Sequence, residues 1–231
     1  MRVLGGSMGR IKLKDREIPY YTKGEEIFNM VTHIVGGALG IAGMVLCIIF
    51  AAIHGNVYGV VSSCVFGVSL IILYTMSSIY HGLNREGIAK RVFQIMDHCS
   101  IFLLIAGTYT PFALCTLREY STALGWTMFG IIWFFAILGI TINAIDLKMF
   151  KSFSMFCYIS MGWLAVFKID ILIKLLTIPG FLLVLFGGIL YTIGAILYGL
   201  GKKKKWIHSI FHIFVVLGSV CHIMCIMLFV V

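Results

Sequence analysis

The amino-acid sequence predicts an all-α fold, a bundle of seven transmembrane helices. Apolar residues make up 61% of the 231-residue chain and charged residues only 12%, whereas a soluble domain has roughly half apolar and a quarter charged residues. The apolar residues are also gathered into runs of about 20, the length that a helix needs to cross a bilayer. These two observations indicate a multi-pass protein, which we expect in the cell (plasma or inner) membrane.

Seven apolar runs are long enough to be spans, and the fifth is the weakest because Lys168, Asp170 and Lys174 cluster at its end. The predicted spans are Phe28–Ile53, Tyr58–Tyr80, Met96–Leu117, Leu124–Ile145, Phe153–Leu172, Pro179–Leu200 and Ile207–Val231. Residues 1–24 are then a polar, basic N-terminal segment, and residues 25–231 form the membrane domain. The chain has no apparent cleavable signal peptide, because its first apolar run is too long for one.

The basic residues predict the orientation of the bundle. Most Lys and Arg residues lie in the N-terminal segment and in alternate connections, whereas the remaining connections hold only Arg118, Lys168 and Lys174. By the positive-inside rule the N-terminus is cytoplasmic and the C-terminus outside, the reverse of a G-protein-coupled receptor. The net charge of +9 therefore does not indicate a nucleic-acid partner, since the basic residues stand where orientation signals belong.

Five polar side chains stand out within the spans, because ionisable or metal-binding groups in a bilayer are costly and usually functional. They are Ser77, His81, Asp97, His208 and His212. In the predicted topology the second helix ends at the cytoplasmic face, and the third and seventh helices begin there. Three helix ends that are distant in sequence therefore bring these five side chains to one depth.

The spacing of these residues predicts a zinc site. His208 and His212 are four residues apart, so their imidazoles share one face of a helix, and Ser77 and His81 have the same spacing. Three histidines and a water make the open tetrahedral site that zinc hydrolases use. Asp97 could then hold that water or act as a general base, and Ser77 could hydrogen-bond to the water or to Asp97.

Simpler interpretations exist for the same residues. A lone histidine in a membrane helix is often a hydrogen-bonding residue between helices, and Asp97 could simply cap the third helix. Glu26, Asn29 and His33 share one face of the first helix, where they form either a hydrated helix start or a second shell around the metal ligands. His222 lies about 21 Å beyond His208 along the helix axis, which suits a packing role or a polar pathway rather than metal binding.

The motifs also resemble a known family. The chain from about residue 25 onward resembles the bacterial hemolysin III proteins of the progestin and adipoQ receptor superfamily. The matching motifs are EIFNMVTH at 26–33, SSIYH at 77–81, DH at 97–98, GTYTPF at 107–112, HSIFHIF at 208–214 and GSVCH at 218–222. Each motif is weak alone, but together they are specific.

The resemblance implies a seven-helix fold with a cytoplasmic N-terminus and a zinc ion near the cytoplasmic face. The implied ligands are His81, His208 and His212, with Asp97 holding the zinc-bound water and Ser77 nearby. The superfamily includes alkaline ceramidases, which are zinc amide hydrolases in the membrane. Members close to this chain carry the name hemolysin, and cytolytic activity is attributed to some of them.

Three functions are consistent with these observations. The first is a membrane zinc hydrolase acting on a lipid-like amide or ester. The second is a cytolysin or pore-forming hemolysin in which zinc is structural. The third is a lipid-responsive receptor, although the cytoplasmic loops are short. All three place membrane lipids and a lipid-like substrate or ligand among the partners, and no soluble protein partner is indicated.

Overall fold

The computed structural model describes residues 13–201 and 204–231, and every regular element in these residues is helical. The long helices are α1 (Lys23–Ile53), α2 (Val57–Gly82), α3 (Ile88–Pro111), α4 (Thr122–Ile145), α5 (Lys151–Gly162), α6 (Ile169–Leu200) and α7 (Ile207–Phe229). A π-helical stretch, Phe112–Leu117, and a helical turn, Arg118–Tyr120, continue α3. Six helical stretches in the described residues are long and apolar enough to cross a membrane, which confirms an all-α membrane protein.

The distribution of polar side chains is the reverse of that in a soluble protein, with apolar residues outside and polar residues inside. In α1 the outward side chains are apolar, and Ile34, with 54% of its surface exposed, is one example. The inward face of the same helix carries polar and small residues, among them Asn29, His33 and Gly36. Apolar residues face outward here because lipid solvates them, and the buried polar residues are therefore the unusual ones.

The stretch Lys151–Leu200 contains the predicted fifth and sixth spans. As one straight helix its 50 residues would measure about 75 Å, more than twice the hydrocarbon thickness. The backbone breaks at Thr177, which has φ 58° and ψ 173°. The two sides of the break lie against each other, because Trp163 Nε1 donates a hydrogen bond of 3.0 Å to Thr192 Oγ1. Seven crossings and the orientation of the termini stay predictions.

Glycine contacts set the distances between the helices that carry the histidines. A Cβ atom on Gly36 of α1 would lie 2.5 Å from the ring of Tyr74 in α2. One on Gly43 would lie 2.7 Å from Ile223 in α7. Close approach at small residues is how helices associate in lipid, and it brings α1 against both α2 and α7.

The third helix begins earlier than the sequence predicts, at Ile88 rather than Met96. Asp97 is therefore in the third turn of α3, and the interpretation that it caps this helix is wrong. The error has a physical cause, because Lys90 and Gln94 are buried in the first two turns. Hydropathy does not recognise a helix start whose polar residues point inward.

Candidate metal centre

Three buried histidines meet at one end of the bundle, where α2 ends and where α1, α3 and α7 begin; we call this the histidine end. His81 is in the last turn of α2, and His208 and His212 are in the first turns of α7. One ring nitrogen from each residue lies within 4.8 Å of the other two. The Nε2 atoms of His208 and His212 are 3.1 Å apart. The structure thus brings together the three histidines that the sequence predicts as ligands.

Glu26 of α1 orients His81. Its Oε2 atom lies 2.6 Å from His81 Nδ1, and a carboxylate at this distance accepts the Nδ1 proton. The proton on Nδ1 leaves the Nε2 lone pair free, and Nε2 has no hydrogen-bond partner in the described part of the chain. A carboxylate that fixes the tautomer of a histidine is the usual outer partner of a metal ligand.

Lys90 of α3 completes this chain of contacts, and the sequence analysis did not single it out. Only 1% of its surface is exposed, and its Nζ donates to Glu26 Oε1 at 2.5 Å and to the carbonyl oxygen of Leu83 at 3.1 Å. Lys90 precedes Asp97 by seven residues and so lies on the same face of α3, but the predicted third span began at Met96 and left Lys90 in a connection. The salt bridge with Lys90 stabilises the carboxylate form of Glu26 beside His81.

The two other predicted outer residues also reach the histidines. Asn29 is fully buried, and its Nδ2 lies 3.5 Å from His81 Nδ1. The ring of His33 stacks on that of His212, with centroids 3.8 Å apart. Neither ring nitrogen of His33 has a partner within residues 13–201 and 204–231. Their roles as a second shell stay predictions.

Asp97 and Ser77 face each other beside the cluster. The Ser77 side chain lies beside the Asp97 carboxylate, and both residues line one cavity together with His208 and His212. His98 is held differently, because its ring bonds to the Gln94 carbonyl oxygen at 2.8 Å and the Tyr198 hydroxyl at 2.9 Å. Of the neighbouring pair, Asp97 is therefore the group available to the site.

Comparison with known proteins identifies the family. A family model described as Haemolysin-III related matches residues 21–223. The chain belongs to the hemolysin III family. A hemolysin-3 of Bacillus cereus is 44% identical over 206 residues, covering 89% of this chain and 92% of that protein. A hemolysin-3 homolog of Bacillus subtilis strain 168 is 40% identical over 209 residues, covering 90% of this chain and 96% of that protein.

The stretch of the hemolysin III protein that matches the family begins at Tyr21, a residue that the sequence analysis missed. Its ring stacks on His208 with centroids 4.8 Å apart and a 21° interplanar angle, and it lies 5.7 Å from the ring of His81. Burial raises the pKa of the Tyr21 hydroxyl, which therefore stays neutral. Tyr21 covers the outer side of the cluster. Its position within the polar N-terminal segment gave no reason to single it out.

The position of Tyr21 over the cluster is fixed by contacts at the starts of α1 and α7. Thr22 and Glu25 form a capping box at the start of α1. Glu25 Oε1 also accepts a hydrogen bond of 2.6 Å from the backbone N–H of Trp206, the residue before α7. The same carboxylate therefore ties α1 to α7 and fixes the height of His208, which lies two residues further along.

A cavity of about 230 Å³ extends from the histidine end into the bundle of the hemolysin III protein. Its lining includes Ser77 and Asp97 near the cluster, and further polar side chains such as Thr108, Lys168 and Tyr191 line the rest of it. Most of the remaining wall is apolar, and it includes Leu104, Ile105, Phe112, Met128, Leu172, Phe181, Val184, Leu185 and Val215. A polar end and a long apolar wall suit an amphiphilic ligand.

The residues present fit a zinc ion. Zinc–nitrogen bonds of 2.0–2.1 Å in a tetrahedral shell place two ligand atoms about 3.3 Å apart, close to the 3.1 Å between His208 and His212. An N–H···N hydrogen bond between the two imidazoles would give a similar distance, so this separation alone does not distinguish a metal site from a hydrogen-bonded pair. The unpartnered Nε2 of His81 supports a metal site, because a buried polar atom without a partner is costly and a metal would satisfy it.

Proposed function

We propose that this protein is a zinc-dependent membrane hydrolase that cleaves a lipid-like amide or ester. The observation that carries the proposal is the unpartnered Nε2 of buried His81, which lies beside His208 and His212. This cluster stands where an apolar cavity meets the Ser77–Asp97 pair. Neutral imidazoles are common zinc ligands, and an apolar wall suits an acyl chain.

His81, His208 and His212 would hold the ion. Zinc, when bound, supplies Lewis-acid chemistry that polarises a carbonyl group and makes water more acidic. The other roles belong to the chain. Asp97 accepts the proton of the attacking water and returns it to the leaving group, while Ser77, which lies beside that carboxylate, would orient it by a hydrogen bond from its hydroxyl.

The surroundings of the cluster assist this chemistry. Tyr21 covers its outer side and limits entry of bulk water, so the polar groups act in a medium of low dielectric constant. The carboxylate of Glu26 keeps the proton of His81 on Nδ1. The acyl chain of the substrate would lie along the apolar wall of the cavity, with its carbonyl group near Asp97.

The test is a hydrolysis assay on the purified protein with a panel of amide and ester lipids, paired with zinc analysis. We expect wild-type protein to bind zinc and release fatty acid. Asp97→Asn should retain zinc and lose most activity, and His212→Ala should lose both. Asp170→Asn, at an exposed position outside the cavity, is the matched control and should behave as wild type. Zinc-loaded protein that cleaves no lipid in the panel would contradict the proposal.

A second candidate function is cytolysis, which the names of the two Bacillus relatives favour. In that case zinc would be structural, and lysis would not depend on Asp97. The two functions separate in one comparison of red-cell lysis. Asp97→Asn should lyse cells as well as wild type does if the protein is a cytolysin, and poorly if lysis follows from lipid hydrolysis.

A further inference from the structure

The far part of the cavity holds a histidine that the proposed chemistry does not use. His222 of α7 is 7% exposed and lines the same cavity as Asp97. Its Nδ1 atom has no hydrogen-bond partner among the residues that the structure describes. A histidine that serves only to join membrane helices hydrogen-bonds across them, and this one does not do so through Nδ1.

The ring of His222 is nevertheless held firmly. It stacks on Tyr191 of α6, with centroids 5.5 Å apart and planes 12° apart. The Tyr191 hydroxyl is 2.8 Å from Ser219 Oγ, which also accepts a hydrogen bond of 2.7 Å from Tyr74. Gly187 leaves the space for the ring, because a Cβ atom there would lie 2.6 Å from His222 Nε2. The imidazole is therefore positioned for a partner that the described chain does not supply.

The distance between the two polar ends of the cavity limits what that partner can be. His222 follows His212 by ten residues and His208 by fourteen, which is about 15–21 Å along the axis of α7. The wall between them is mainly apolar. A ligand that reaches both ends must carry one polar group at the histidine end and another well down an otherwise apolar chain.

We propose that His222 is a specificity-determining residue that hydrogen-bonds a hydroxyl group far along the acyl chain of the ligand. The ligand class is a lipid hydroxylated in the middle or at the end of its chain. This inference deepens the proposed function, because it rests on an acyl chain lying in the cavity with its carbonyl end at the histidines.

The experiment measures binding rather than turnover, so it does not depend on hydrolysis. Full-length protein in detergent micelles is titrated with stearate and with three hydroxystearates. These carry the hydroxyl group at the second carbon, at mid-chain or at the chain terminus. The hydroxy isomers share one composition and differ only in where the hydroxyl lies. Wild type should bind the mid-chain or terminal isomer about three- to tenfold more tightly than the second-carbon isomer, as one neutral hydrogen bond provides.

Variants test whether His222 causes that preference. His222→Phe should remove it and leave the affinity for plain stearate unchanged, and His222→Gln should keep part of it. Gly187→Ala should also remove the preference, since the added methyl group displaces the ring. Gly199→Ala, in the same helix with nothing within 4 Å of its added Cβ, should retain it. These last two variants keep the test informative if His222→Phe fails to fold.

The outcomes separate this inference from the proposed function. Equal binding of all isomers, or a preference that survives His222→Phe, would overturn the role of His222, and metal-dependent hydrolysis could still be found. If binding favours the mid-chain or terminal hydroxyl because of His222 but no lipid is hydrolysed, the role of His222 is supported and the hydrolase is contradicted. If no fatty acid binds, the role of His222 is overturned, and the hydrolysis assay with the lipid panel still tests the proposed function independently.

Discussion

Replacing Glu26 by glutamine tests the arrangement of the metal centre most fully. The substitution keeps the size of the side chain and removes the charge that faces His81 Nδ1 at 2.6 Å. Loss of such an outer partner typically lowers metal affinity by about 10- to 100-fold. A competition titration with a zinc chelator, carried out on protein in detergent micelles, measures this change.

The same substitution also affects folding, because it leaves the Lys90 cation buried without its carboxylate. Removing one partner of a buried ion pair costs about 3–5 kcal/mol. We expect about 3 kcal/mol, the lower end, because the Glu26 side chain is 18% exposed and glutamine can still accept a hydrogen bond. Glu17→Gln is the control, since the ion pair of Glu17 with Lys148 is exposed and worth about 0–1 kcal/mol.

A double variant separates the two effects. In Glu26→Gln combined with Lys90→Met no unpaired cation is buried, so the stability of the metal-free protein should return to within about 1 kcal/mol of wild type. Zinc affinity should stay low, since His81 still lacks its carboxylate. If the single variant binds zinc within twofold of wild type, or the double variant recovers full affinity, Glu26 does not orient a metal ligand and this description of the centre is wrong.

Three further results are expected. Tyr21→Ala should speed zinc removal by a chelator severalfold, because it deletes an aromatic contact worth about 0.5–1.5 kcal/mol. Tyr21→Phe keeps the ring and should match wild type, and equal rates of zinc removal in both variants would refute the role of Tyr21 as a cover. Gly36→Ala should lower the unfolding temperature in micelles because its methyl group meets the Tyr74 ring at 2.5 Å. Gly37→Ala, whose added Cβ lies 3.6 Å from Tyr74, should leave that temperature unchanged. A lower unfolding temperature for Gly37→Ala than for Gly36→Ala would contradict this packing. Saturating zinc at 100 times its dissociation constant should stabilise the protein by about 2.7 kcal/mol, and His81→Ala should abolish that gain; an equal gain in His81→Ala would exclude this site.

The sequence predicted the membrane class and the meeting of His81, His208 and His212 correctly because both depend on simple periodicities. Apolar runs of spanning length define the helices, and a spacing of four residues puts two histidines on one helix face. The third histidine, His81, followed because the second predicted helix ends at the depth where the seventh begins. These inferences need no knowledge of which helices are neighbours.

The contacts that hold the site were harder to predict because they depend on neighbours. Lys90 serves as an orientation signal in the sequence, and only the structure shows it buried against Glu26. Tyr21 precedes the first predicted span, and its stacking on His208 follows from how α1 and α7 begin side by side. The early start of α3 was missed for the same reason, since inward-facing polar residues make a membrane helix look like a loop.

Metal analysis of the purified protein tests the central claim most directly. If His81, His208 and His212 share one ion, wild-type protein should carry about one zinc per chain. X-ray absorption should then show three imidazole nitrogens at about 2.0–2.1 Å, and His212→Ala should carry almost no zinc. Wild-type protein without bound metal, or zinc retained undiminished in His212→Ala, would contradict the claim.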